Sequence, residues 1–184
     1  MANIHAHSEI AAAAGAFVRQ SLVPMWNEVT QRIRATAGRE GLAERIPVSD
    51  ERLSPCDFGF HNAINGSAGA IRFIDFEYAG WDDPARVVCD FFCQPAVPVP
   101  RRFFDLVASR LTEDLSDPQW HRCRIRLLLP VYQIRWCCIL LNDFLDVAGH
   151  RRQFAGSADD PDARKRAQLD KAIAAFGNVG LELS

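Results

Sequence analysis

The stretch that decides the fold is Ser54-Pro55-Cys56-Asp57-Phe58-Gly59-Phe60-His61-Asn62, which Ile74-Asp75-Phe76-Glu77 follows after a short interval. Asp57 and Asn62 bracket a tight loop rich in aromatic residues, and Asp75 comes at the end of an apolar run. Taken singly, each of these polar residues is most simply a turn residue, because aspartate and asparagine are common in turns. Their order and spacing together carry more information than any one of them.

A β-hairpin is predicted between these two stretches. Asn65-Gly66-Ser67-Ala68-Gly69 has the composition of a turn, and the apolar pieces Ala63-Ile64 and Ile71 to Phe76 flank it. A hairpin closed at this turn places Asn62 beside the strand that ends at Asp75. The amide and the carboxylate can then meet over one hard divalent cation.

This set of residues suits phosphoryl transfer. An aspartate can accept or orient the proton of an attacking hydroxyl group, while asparagine and aspartate oxygens can hold magnesium against nucleotide phosphates. Oxygen ligands of this kind favour magnesium over zinc. Asp57 is then the candidate base, and Asn62 and Asp75 are the candidate magnesium ligands.

The pattern D-x-x-x-x-N, followed by a hydrophobic strand ending in I-D-F-E, resembles the catalytic core of the aminoglycoside phosphotransferase and choline kinase-like family, which is related to the protein kinases. The continuation from Tyr78 to Pro84, with Asp90 beyond it, is similar to that family's stretch after its metal-binding aspartate. The resemblance covers Leu53 to Phe92 closely and the flanking helices only in general character.

The resemblance implies a role for most of the matching residues. Asp57 matches the catalytic base, Asn62 a magnesium ligand and Asp75 the main magnesium ligand, with ATP or another nucleoside triphosphate as the phosphoryl donor. Asp83 and Asp90 match structural positions, the first capping a helix and the second tying that helix to the catalytic loop. The role of Glu77, which follows the metal aspartate in many members, is left open.

Two features depart from the family's pattern. The family usually has His-Gly before the catalytic aspartate, where the histidine braces the loop, and this sequence has Pro55-Cys56. The resemblance also implies an N-terminal β lobe with a glycine-rich phosphate cover and a lysine–glutamate pair. The residues before Asp57 have helical patterns instead and contain neither lysine nor G-x-G. The predicted fold is therefore mainly α with a small β-hairpin region, a protein-kinase-like C-terminal lobe lacking the N-terminal β lobe.

Composition narrows the classes of protein and of partner. The chain has 184 residues and a formal net charge of −2, which argues against a nucleic-acid binder, since such domains are usually basic. Of its 21 Lys and Arg residues, only Lys165 and Lys171 are lysines. We find no convincing secretory signal and no uninterrupted apolar stretch of about 18 residues. We therefore expect a soluble cytoplasmic protein with reduced cysteines and no membrane partner.

Helices are predicted on both sides of the β region from apolar spacing and capping residues. We place them at about Ser8–Gln20, Val23–Gly38, Pro84–Cys93, Arg101–Leu115, Pro118–Val147 with a kink at Pro130, and Pro161–Phe176. We interpret residues 1–184 as a single phosphotransferase-like C-lobe. Its parts are leading helices (1–46), catalytic and metal loops (47–92) and a helical acceptor-side subdomain (93–184).

Three functions are compatible with these residues. The first is an ATP- and Mg²⁺-dependent small-molecule kinase that phosphorylates a hydroxyl group of its acceptor. The second is a truncated or degenerate non-catalytic protein that acts as a binding module or needs a partner. An apolar face where the small lobe should sit would then favour self-association or a covering partner. The third and weaker one is a magnesium-dependent phosphohydrolase with water as the nucleophile.

Overall fold

The polypeptide is mainly helical, at 68%, with two small antiparallel sheets, which confirms the predicted coarse class. A computed structural model describes residues 9–43, 45–145 and 160–180. Within these ranges the α-helices are α1 (Glu9–Phe17), α2 (Val23–Ala43), α3 (Pro84–Cys93), α4 (Phe104–Thr112), α5 (Pro118–Leu140) and α6 (Pro161–Phe176). A π-helical turn, Val18–Leu22, joins α1 to α2.

Two sheets of two strands each lie between α2 and α3 in the sequence. Strand β1 (Arg52–Ser54) pairs with β4 (Gly80–Asp82), and β2 (Ala63–Asn65) pairs with β3 (Ile71–Phe73), both antiparallel. The predicted hairpin is confirmed, with Ala63 opposite Phe73. The chain passes from the first sheet to the second between β1 and β2, which we call the first connection. It returns between β3 and β4, which we call the second connection. Asp57 lies on the first connection and Asp75 on the second.

Helix α3 begins where it was predicted because Asp83 and Pro84 form its N-terminal cap. Asp83 Oδ1 accepts a hydrogen bond from Ala85 N at 2.8 Å. Pro84 occupies the first helical position, where a missing N–H removes no helical bond. Asp83 Oδ2 also accepts from Arg124 Nε of α5 at 2.7 Å. Asp83 therefore caps α3, as predicted, and also ties it to α5.

Some predicted boundaries were wrong. Helix α2 continues past Gly38 to Ala43, because a glycine inside a helix costs only about 1 kcal/mol relative to alanine and does not by itself end it. Strand β3 ends at Phe73, two residues before its predicted end at Asp75, since Asp75 has φ +66°, a left-handed conformation that a strand cannot contain. Strand β4 was missed, because three residues directly before a helix cap have the composition of a turn.

The long apolar helix, α5, begins at Pro118, as predicted. Helix α5 is continuous through Pro130 and is followed by a 3₁₀ turn, Leu141–Phe144. The predicted end at Val147 and the predicted cap at Ser8 lie outside the described residues. The segment Pro118–Phe144 is long and apolar enough to cross a membrane by length and composition alone, a test that the core helix of a soluble protein also passes.

The described chain forms two compact units. The terminal unit comprises residues 9–32, 133–145 and 160–180, and the central unit comprises residues 33–43 and 45–132. In the terminal unit, the rings of Phe17 and Phe176 meet edge to face with 5.5 Å between centroids. Arg164 Nε donates to Asp143 Oδ2 at 3.2 Å in the same unit. The predicted division at 46/47 and 92/93 follows the motifs and stays a prediction.

The core of the central unit gathers apolar side chains of α3, α4 and α5. Burial raises the pKa of the Cys89 thiol, so Cys89 serves here as a small apolar residue. Phe58, in the connection after β1, packs against this core. The connection that carries Asp57 is thus attached to the hydrophobic core. The buried members are Ala85, Val88, Cys89, Phe91, Phe92, Val99, Phe104, Ala108, Ile125 and Leu129.

A buried polar cluster anchors the segment before β1 to the start of α5. The Asp50 carboxylate lies 2.9 Å from His121 Nε2, and both residues are almost completely buried. Ser116 donates to the same carboxylate from its hydroxyl group and from its backbone N–H. The sequence identified no partner for His121, because Asp50 is 71 residues away.

This cluster predicts an acid-sensitive contribution to stability. Hydrogen bonds from Ser116, and then from His121, lower the pKa of Asp50 from 3.8 to about 2. A depressed carboxylate pKa gives stability that is fully present above pH 3.8 and is lost as the pH falls through about 2. We expect Asp50→Asn to lower the thermal midpoint at pH 6, and the difference from wild type to shrink as the pH approaches 2. Circular-dichroism melts from pH 6 to pH 2 measure this.

The exposed Asp114→Asn variant is the matched control for that series. Asp114, like Asp50, pairs with a basic side chain, that of Arg52, but the Asp114 side chain is 75% exposed. Its stability should follow that of wild type, because an exposed ion pair contributes little. A difference between Asp50→Asn and wild type that stays constant from pH 6 to pH 2 contradicts the linkage to Asp50.

Candidate active site

A cleft of about 470 Å³ opens in the central unit between the two connections. It brings together two of the three predicted site residues, Asp57 and Asp75. The third, Asn62, does not line the cleft, but its side chain is hydrogen-bonded to the backbone of Asp57, which does. The lining includes Cys56, Asp57, Asp75, Glu77, Tyr78 and Arg86.

The loop that carries Asp57 is held by aromatic packing. Phe58 stacks on Phe91 of α3 and also meets Phe73 of β3, with 4.8 Å between ring centroids in both pairs. Phe60 lies 5.4 Å from the same Phe91 ring. Aromatic pairs of this kind contribute about 0.5–1.5 kcal/mol each beyond their buried area. Asp57 itself stays 51% exposed, so its carboxylate is presented by a fixed loop to solvent.

Cys56 adopts an unusual backbone conformation directly before Asp57. Its φ is +69°, a left-handed value that costs a residue with a side chain about 1–3 kcal/mol and that is found most often at functional sites. Its Sγ contacts Tyr78 O at 2.7 Å, and its N–H donates to Ser54 Oγ at 3.2 Å. The contact with Tyr78 joins the first connection to the second, and the bond to Ser54 joins Cys56 to the end of β1.

Asn62 is positioned by two hydrogen bonds. Its side-chain Nδ2 donates to Asp57 O at 3.0 Å, and its backbone carbonyl accepts from Ile74 N at 2.9 Å, which extends the β2–β3 ladder by one pair. The side-chain amide is therefore oriented with its nitrogen toward the Asp57 backbone. Its carbonyl oxygen remains as the atom that can ligate a cation.

Asp75 comes two residues after β3, with φ +66°. Aspartate tolerates the left-handed region better than most residues, and here this conformation ends the strand and turns the chain into the second connection. Asp75 lines the same cleft as Asp57. Among the described residues, no group of three or more histidine, cysteine, aspartate or glutamate side chains is arranged to hold a metal ion. A cation bound in this cleft would therefore need non-protein ligands in addition to Asp75 and to any oxygen that Asn62, outside the lining, supplies.

His61 lies beside the Asp57 carboxylate, although it is not among the predicted site residues. Its Nε2 lies 3.2 Å from Asp57 Oδ1, four residues earlier in the chain. The ring packs so closely on Gly59 that a Cβ built there would lie 2.7 Å from His61 Nδ1 and 2.8 Å from Gln94 Cγ. His61 therefore braces the Asp57 carboxylate from the downstream side of the loop.

Gly59→Ala tests this bracing. A methyl group at position 59 must displace the His61 ring or the buried Gln94, so we expect a loss of about 1–3 kcal/mol in the free energy of unfolding. Gly80→Ala is the matched control, because a Cβ at Gly80 meets nothing within 4 Å. Urea denaturation of the two variants measures the difference. Equal midpoints for both would contradict the close packing at Gly59.

Arg86 is the second residue that sequence analysis missed. Its Nη1 lies 2.5 Å from Asp82 Oδ2 and its Nε lies 3.6 Å from Asp90 Oδ2. Burial works to lower the pKa of Arg86, but the hydrogen bond and charge of Asp82 outweigh it and raise that pKa. The spacing of four between Arg86 and Asp90 on α3 is a signal that could have predicted that pair, whereas Asp82 lies on β4, before the helix begins. Asp90, expected to tie α3 to the catalytic loop, is almost fully buried and faces this arginine.

Comparison of the chain with protein-family models, with curated proteins and with solved structures finds no match.

Proposed function

We propose that this protein is a magnesium-dependent phosphotransferase that uses ATP or another nucleoside triphosphate to phosphorylate a hydroxyl group of a small molecule. The observation that carries the proposal is the placement of Asp57 and Asp75 on the wall of one cleft. Nothing in their sequence separation requires this, and it is what transfer between a bound hydroxyl and a metal-bound phosphate needs.

The local geometry supports the roles that the resemblance assigns. The Asn62 amide donates to the Asp57 backbone carbonyl, so the candidate base and the candidate metal ligand are directly linked. Cys56, at the position where the resembling family usually has glycine, has the positive φ that glycine adopts readily. His61 braces the loop that the family's upstream histidine would brace. The departures at Pro55-Cys56 are thus compatible with the family's loop.

In the proposed mechanism, Asp57 orients the acceptor hydroxyl and takes its proton as the hydroxyl oxygen attacks the terminal phosphorus of the donor. The bond from that phosphorus to the bridging oxygen breaks, and the nucleoside diphosphate leaves. Asn62 and Asp75 would supply oxygen ligands to magnesium, which neutralises charge on the phosphates. The residues of this chain contribute mainly position and electrostatics, since the transferred group reacts directly with the acceptor.

Isothermal calorimetry tests the proposal at its first step. Purified protein should bind ATP in the presence of Mg²⁺ and lose that binding when EDTA is added. ATP binding that is equally strong with and without the metal would overturn the proposal. Hydrolysis of ATP in the absence of any acceptor would instead favour the phosphohydrolase.

One observation favours the non-catalytic alternative, a binding module that needs a partner. More than half of the exposed large apolar residues among the described positions lie between residues 48 and 81. Tyr78 and Trp81 are 74% and 72% exposed. Where such residues are contiguous on the surface, they are typical of a face that another polypeptide covers. The residues are Val48, Leu53, Phe60, Ile64, Ile71, Ile74, Phe76, Tyr78 and Trp81.

A further inference from the structure

The charges that line the cleft are unbalanced. Asp57, Asp75 and Glu77 contribute three carboxylates, and Arg86 is the one cation among the lining residues. A phosphate chain entering this space adds further negative charge, so cationic groups must offset it if it is to bind. One divalent metal cannot neutralise three carboxylates and a triphosphate. A protein cation at this position therefore has a direct electrostatic use.

Arg86 lines the cleft, and carboxylates contact its guanidinium group at two of its nitrogens. Asp82 engages Nη1 from β4, and Asp90 lies near Nε from the next turn of α3. The side chain is 30% exposed and is one of the residues that line the cleft. Guanidinium has five N–H donors, so two carboxylate contacts leave donors, those on Nη2 included, that can bind phosphate oxygens. Restraint on two sides lowers the entropy lost when a ligand binds.

We infer that Arg86 is an anion-binding residue that contacts the phosphate chain of the donor in this cleft. The inference rests on the proposed function, because it takes the cleft as the place where the nucleoside triphosphate binds. The simpler explanation is that Arg86 only joins Asp82 to Asp90. The two explanations make different predictions for how loss of Arg86 changes the affinity for a metal ion and the affinity for a phosphate chain.

Arg86→Gln separates the two explanations when binding is measured with two probes, Mn²⁺ alone and Mg²⁺-tripolyphosphate. We expect the affinity for Mg²⁺-tripolyphosphate to fall about tenfold or more, which is the range for a lost charged hydrogen bond. Affinity for Mn²⁺ alone should stay equal or rise, because a positive charge near the cation has been removed. A fall in both affinities by the same factor indicates a structural role and overturns the inference.

Arg52→Gln is the matched control. Arg52 is also ion-paired, with Asp114, and its side chain is 21% exposed, but it does not line the cleft. Both affinities of this variant should match wild type. Asp75→Asn reports separately on the proposed function. If Asp75→Asn abolishes binding and Arg86→Gln leaves it unchanged, the proposed function stands and the role of Arg86 is rejected.

A measurement on the wild-type protein covers the case in which Arg86→Gln does not fold. Phenylglyoxal modifies arginine side chains, and mass spectrometry locates the modified residues. Mg²⁺-tripolyphosphate should slow modification of Arg86 several-fold and leave Arg52 unaffected. Equal modification of Arg86 with and without the probe overturns the inference. If wild type binds neither Mn²⁺ nor tripolyphosphate, the inference and the proposed function both fail.

Discussion

Asp57→Asn is expected to lower the rate of magnesium-dependent phosphoryl transfer by about 10²–10⁴-fold, the usual contribution of a general base. Asparagine keeps the size of the side chain and the backbone carbonyl that accepts from Asn62. It removes the charge that receives the acceptor's proton. ATP binding should therefore stay within a few-fold of wild type, because the lost interaction develops only in the transition state.

The measurement is ATP turnover against a panel of hydroxyl compounds, with water as the background acceptor, followed by calorimetry of ATP binding. Asp114→Asn is the matched control, since it removes one carboxylate from an exposed ion pair outside the cleft. A variant that loses ATP binding and turnover together would show that Asp57 supports the fold of the loop rather than the chemistry. Wild-type levels of turnover would reject Asp57 as the base.

Asp75→Asn should give the largest loss of nucleotide affinity. Asparagine tolerates the φ of +66° at this position, which alanine does not, so the change removes charge with little backbone strain. Loss of a direct magnesium ligand should weaken ATP binding by more than the roughly 10–100-fold that follows the loss of a supporting group. Calorimetry at increasing Mg²⁺ concentration measures this, because excess metal should recover part of the affinity.

Asp105→Asn serves as the control for Asp75→Asn. Asp105 pairs with Arg126, and its side chain is 71% exposed. The affinity of this variant for ATP should equal that of wild type at every Mg²⁺ concentration. If Asp75→Asn binds ATP as wild type does at low Mg²⁺, Asp75 is not a magnesium ligand.

Local sequence signals predicted the parts of the site that local chemistry determines. The Asn65–Gly69 turn fixed the hairpin, and the hairpin set Asn62 beside the end of β3. Asp83 and Pro84 fixed the start of α3 through capping. Each of these features depends on residues within a few positions of one another, so composition and spacing suffice to predict them.

The remaining features depend on contacts between distant segments. Asp50 and His121 are 71 residues apart, and neither neighbourhood indicates the other. Strand β4 forms because β1 pairs with it, and its three residues have no strand pattern of their own. The bracing of Asp57 by His61 follows from the tight approach at Gly59, which the spacing of charges alone does not reveal.

The Asp50–His121 contact also has a consequence for folding kinetics. It closes a loop that contains every residue lining the cleft, which run from Pro55 to Arg86. Closure of a long loop carries an entropic cost that grows with the logarithm of its length, so we expect this contact to form after the folding transition state. Asp50→Asn should then accelerate unfolding and leave the refolding rate nearly unchanged. The Asp50–His121 contact would then slow unfolding, and so determine how long the cleft stays assembled.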